Sequence, residues 1–118
     1  MTLDDLIESS VSNQALSPGD VESLARESGM TVPQLLDLFA RTVATGYLRD
    51  DYSHGFADMA MSQLLGFAHG ETGPGLSDFA RQVYDAFDPG EYVRDGESTD
   101  QTEQLTRELL GHIGLVGR

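Results

Sequence analysis

The residues of this chain best suited to proton transfer or metal ligation are its three histidines, His54, His69 and His112. His54 and Asp58 lie four apart and share a face if the segment is helical, with Asp50 and Asp51 just upstream. Such a mixed nitrogen and oxygen set is of the kind a divalent ion can use. The same residues have a plainer reading. Acids near a helix start complement its dipole, and His54 is then an exposed imidazole. His69 and His112 each fall near the end of an expected helix, where positive charge is favoured. There is no HExxH pattern, no EF-hand loop and no Cys, so the familiar zinc, calcium and thiolate chemistries have no carrier.

Other catalytic devices are equally thin. Gly70 to Gly75 is rich in glycine, but no strand precedes it and no Lys-Ser/Thr pair follows, so it reads as a linker rather than a phosphate cradle. Ser53, Ser62 and Ser77 have no nucleophile-elbow context. Carboxylates are so abundant that spacing alone singles out no catalytic pair. The sequence therefore reads as that of a non-enzymatic protein with no cofactor and no resident metal.

The stretch Val83-Tyr84-Asp85-Ala86-Phe87-Asp88-Pro89-Gly90-Glu91-Tyr92 is more distinctive, because it sets aromatics among acids. Aromatic anchors are favoured at interface centres, and the surrounding carboxylates would suit a basic partner. The expected contact residues are Tyr84, Asp85, Asp88, Glu91 and Tyr92. The competing reading packs Tyr84 and Phe87 inward and leaves the acids to solvate the outer side.

Charge points the same way. Twenty acids stand against seven arginines and no lysine in 118 residues, a net charge of −13. Affinity for phosphate comes chiefly from Lys and Arg, so nucleic acid and anionic membrane surfaces are not the expected partners. A basic protein is the favoured one, with complementary charge speeding association. Between residues 85 and 103, seven acids face the single Arg94, giving −6 in under a fifth of the chain. No apolar run approaches the roughly 18 residues of a spanning helix. Acids follow Met1 where an export signal carries basic residues, so the expected location is cytoplasmic.

The elements that must position these residues are helical throughout. Thr2 caps a first helix with Leu3, Leu6, Ile7 and Val11 on one stripe. Ser17-Pro18 opens a second, running to about Ser28 and stopped by a left-handed Gly29. Thr31 and Gln34 form a capping box for the longest helix, about 32 to 49, and Gly46 weakens its last turn. Ser53 caps a fourth, about 54 to 68, with Phe56, Met59, Ala60, Leu64 and Phe67 inward. A fifth spans about 76 to 87, with Leu76, Phe79, Ala80, Val83, Tyr84 and Phe87 inward. Residues 91 to 100 read as a polar loop, and Ser98 with Gln101 opens a last helix near 99 to 113. The fold expected is all-α, one domain of about six helices.

Within it, residues 20–39 carry a helix-turn-helix spacing: Ala25, Gly29 four later and Leu35 six beyond. This supplies the alternative function, a transcription-associated protein using a cationic face built from Arg26, Arg41 and Arg49. Against it, the second helix of the hairpin opens with no cation and mostly apolar residues. The wide apolar face of residues 35–48 also raises the expectation of a homodimer, should one chain fail to cover it.

Tyr52 to Leu64 includes a D-x-x-M-x-x-L helix at Asp58, Met61 and Leu64, and Val83 to Tyr92 reads V-Y-x-A-F-D-x-G-E-Y. In these two segments the second half of the chain resembles small uncharacterised bacterial all-helical proteins. That resemblance implies a helical fold but no reaction and no catalytic residue. The size and charge also resemble those of acidic immunity or antitoxin proteins, which implies a basic protein partner.

Overall fold

The local capping chemistry sets where each helix begins. The computed structural model of the chain describes residues 2–70, 75–87 and 106–111. Five helices are α1 (Leu3–Ser12), α2 (Pro18–Glu27), α3 (Val32–Leu48), α4 (His54–Ala68) and α5 (Asp78–Phe87). Residues 106–111 are helical as well and form α6. No strand occurs among the described residues, so the fold is an all-α bundle of six helices. Thr2, Ser17, Thr31 and Ser53 are the N-caps of the first four, each accepting from the backbone N–H three residues on. Thr31 and Gln34 close a reciprocal capping box, and Thr2 closes a second one with Asp5. The fifth helix starts at Asp78 and not at Leu76, because the Ala80 N–H donates to Ser77 Oγ at 3.1 Å and makes Ser77 the cap.

The Asp5 box gives the N-terminal helix a defined acid sensitivity. The Thr2 N–H donates to Asp5 Oδ2 at 3.0 Å, and the Asp5 N–H donates to Thr2 Oγ1 at 3.2 Å. The Thr2 backbone bond, followed by the Thr2 side-chain bond, holds the Asp5 carboxyl below its ordinary 3.8. A depressed folded-state value stabilises the helix above 3.8, and that contribution is lost as pH falls through the folded value. Denaturation midpoints followed from neutral pH into acid should show it, and Asp5→Asn should flatten this component. An Asp5→Asn protein with unchanged acid sensitivity would refute the assignment.

Three helices stop in the same way. At the end of α2, Gly29 sits at φ +69°, its N–H donates to Arg26 O and the Met30 N–H donates to Ala25 O at 2.9 Å. This is the expected left-handed glycine stop, with the full double bond of a Schellman motif. The ends of α1 and α3 repeat it with non-glycine residues, Gln14 at φ 53° and Asp50 at φ 65°. There the Ala15 N–H reaches Ser10 O and the Asp51 N–H reaches Gly46 O. Gln14 is exposed and only its backbone is recruited, so the left-handed strain has no compensating contact. Gln14→Gly should therefore raise stability by about 0.5–1 kcal/mol, read from urea midpoints at constant m-value. A neutral or negative result would mean that the unfolded-state entropy of glycine outweighs the relief.

The core belongs to α3. It packs on α1, α2, α4 and α5, while α4 and α5 also pack on each other and α1 lies on α4. Leu35, Leu36, Phe39, Ala40, Val43, Ala44 and Tyr47 are all buried in one cluster with Leu6, Ile7, Leu64, Val83, Phe87 and Leu110. Most of the apolar face of residues 35–48 is thus covered within the chain, with Leu38 and Leu48 half-buried at its margin. The hairpin of α2 and α3 is present as expected, but its second helix is the central core element and not an exposed one.

Two inward faces differ from expectation. In α4 the buried residues are Ala57, Ala60, Met61, Leu64 and Ala68, while Phe56, Met59 and Phe67 are half-buried at its flanks. This helix is apolar nearly all round, so two stripes compete. The alanine-rich one allows close approach to α1, α3 and α5. In α5 the buried set is Ala80, Val83, Ala86 and Phe87, with Leu76, Phe79 and Tyr84 half-buried beside it. The glycine-rich linker at 71–74, the loop at 91–100, the Ser98–Gln101 box and His112 lie outside the described residues.

Candidate functional site

Of the expected contact residues, α5 carries Asp85 on its exposed side and Tyr84 half-buried against the core. Asp88, Glu91 and Tyr92 lie outside the described residues. Asp78, Arg81 and Gln82 share the exposed side of α5 with Asp85.

His54 is not the exposed imidazole expected at the start of α4. It is half-buried, with Nε2 3.1 Å from Oγ1 of the fully buried Thr106. Its ring meets Tyr47 edge-on at 5.7 Å and lies 5.8 Å from Phe87. Arg107 closes the same corner: its guanidinium lies 4.7 Å over Tyr47 and pairs with Asp50 at 2.7 Å. A histidine placed this way fastens α6 to the junction of α3 and α4. No group of three or more His, Asp or Glu side chains that could hold a metal ion occurs among the described residues.

A second assembly forms where α1 crosses the C-terminal half of α3. Arg41, Thr45 and Arg49 recur every four residues along α3, with Thr42 beside them, and make one wall of a cleft of about 510 Å³. Asp4 and Glu8, four apart on α1, line the same cleft together with Asp51. The floor is Tyr52 laid flat on Gly46, where a Cβ would sit 2.5 Å from two ring carbons. Two bonds hold it there: the Asp51 and Tyr52 N–H groups both donate to Gly46 O, at 2.8 and 3.2 Å. Phe56 stacks on Tyr52 at 4.7 Å between centroids. Burial pushes the Tyr52 phenol above its ordinary 10.0, and the charges of Asp4, Glu8 and Asp51, with a hydrogen bond to the Asp4 carboxylate, push it further.

The charges in this cleft remain apart. Among the described residues no ion pair joins Arg41 or Arg49 to Asp4, Glu8 or Asp51, and the Arg41 guanidinium instead lies 5.0 Å over Phe79. The cationic face expected of Arg26, Arg41 and Arg49 is not assembled here. Two of the three share a cleft with three carboxylates, and Arg26, on α2, is not among the residues lining it.

Sequence reasoning did not single out this cleft. The available signal was a polar i, i+4, i+8 stripe, Arg41-Thr45-Arg49, running down an otherwise apolar helix. No helix among the described residues is long and apolar enough to cross a membrane. Comparison with known protein families, with curated proteins and with solved structures finds no match to this chain.

Proposed function

We propose that the protein is a non-enzymatic acidic binding module that docks on a basic protein surface, in the manner of immunity or antitoxin proteins. The observation that carries this reading is the placement of its charge. The chain holds a net −13, and none of the acidic side chains among the described residues is buried. The carboxylates of the described residues are therefore open to solvent, where they raise the encounter rate with a cationic partner and make binding salt-dependent. The outer side of α5, with Asp78 and Asp85, leads into the acid-aromatic segment that ends at Tyr92 and is the favoured docking element.

Affinity capture from native lysate at low salt, with mass spectrometry of what is retained, tests the reading. A specific basic protein should be held, released as salt rises, and held less well by the double variant Asp78→Lys, Asp85→Lys. Retention of only neutral or acidic proteins, or binding indifferent to salt, overturns it.

A further inference from the structure

The cleft between α1 and α3 is lined by both signs of charge, and this bears on a small ligand independently of any protein partner. We propose that it binds a small zwitterion of the amino-acid or short-peptide class, with the ligand carboxylate toward Arg41 and Arg49 and its ammonium toward Asp4, Glu8 and Asp51.

Four observations lead there. The volume of about 510 Å³ falls within the range of small-molecule sites. No ion pair joins the opposite charges lining it, although the Arg41 guanidinium lies over Phe79 and Asp4 bonds the Tyr52 phenol, which leaves Arg49, Glu8 and Asp51 as the charges least engaged by the fold. A ligand of one sign meets attraction from one set of charges and repulsion from the other, whereas a zwitterion can satisfy both. The guanidinium is suited to planar, two-point carboxylate recognition, and the hydroxyls of Thr42 and Thr45 lie beside it for further bonds. Finally, the site is built on supported elements. Its floor is fixed by the two backbone bonds to Gly46 O and by the Tyr52–Phe56 stack.

The test is a titration of the isotopically labelled full chain, following the amides of Thr45, Gly46, Asp51 and Tyr52. The probes are L-alanine and tri-alanine as net-neutral zwitterions, and n-butylamine and propionate as single-charge controls. At least one zwitterion should give saturable shifts confined to the cleft, about tenfold or more tighter than either control. Which of the two wins distinguishes a free amino acid from a peptide terminus. Arg49→Gln and Asp4→Asn, both at exposed positions, should each weaken binding about tenfold with unchanged circular dichroism. The proposal is overturned if neither zwitterion saturates, if n-butylamine or propionate binds as tightly, or if both variants bind as the native chain does. None of these outcomes touches salt-dependent capture of a basic protein.

Discussion

Truncation of Tyr47 to alanine is expected to lower stability by about 3–5 kcal/mol, the largest effect of any single change considered. The ring is 1% exposed at the last full turn of α3 and packs on elements far apart in the chain. It meets Phe87 of α5 edge-on at 5.1 Å and His54 of α4 at 5.7 Å, and Arg107 of α6 covers it at 4.7 Å. Each edge-to-face pair contributes roughly 0.5–1.5 kcal/mol beyond area burial, and an exposed guanidinium over a ring about 0.5–1 kcal/mol. Deleting the ring removes all three contacts and leaves a cavity among side chains that α3 through α6 hold in place. A domain with the usual 5–15 kcal/mol in hand becomes marginal. Urea denaturation gives the number, and hydrogen exchange gives its distribution: α6 should lose protection first. A cost below about 1.5 kcal/mol, or equal loss of protection in all helices, would show that the ring corner does not fasten α6.

The cluster around Tyr47 also marks the boundary of what the sequence makes legible. The helix starts at Thr2, Ser17, Thr31 and Ser53 are readable because a cap bonds to a backbone group three residues away. The Gly29 stop is equally local. The partner of His54 is 52 residues distant, and nothing in the neighbourhood of either residue announces it. The face of α4 fails for a different reason. Apolar residues surround that helix, so periodicity offers Phe56-Ala60-Leu64-Phe67 and Ala57-Ala60-Leu64-Ala68 with similar weight. Only the closeness of its neighbours chooses the smaller side chains. The cleft stands between these cases. The spacing of four in Asp4-Glu8 and in Arg41-Thr45-Arg49 is visible in the sequence, but a tertiary crossing brings the two sets into one cleft.

Gly46 carries the second large prediction, because its effect should reverse sign with its neighbour. A glycine inside α3 looks like a weak point, and replacing it by alanine in an ordinary helix gains up to about 1 kcal/mol. Here the added Cβ would lie 2.5 Å from Cδ2 and Cε2 of Tyr52 and 3.3 Å from its Cγ, so the ring must leave the helix surface. It cannot slide freely. Phe56 stacks on it, and the Tyr52 backbone is tied to Gly46 O. Overpacking of this kind costs about 1–3 kcal/mol, which outweighs the helix gain, so Gly46→Ala should be destabilising. In a Tyr52→Ala background the obstacle is gone and the same Gly46→Ala change should stabilise. The helix gain cancels in the cycle of wild type, both single variants and the double variant, which should therefore give a coupling equal to the overpacking cost, about 1–3 kcal/mol. Additivity within about 0.5 kcal/mol would mean that the ring moves aside at no cost, and that the floor of the cleft is soft rather than fixed. Because Tyr52 forms that floor, Gly46→Ala should also abolish the zwitterion-induced shifts while leaving Asp85 on α5 exposed, so the cleft and the proposed docking face separate in one variant.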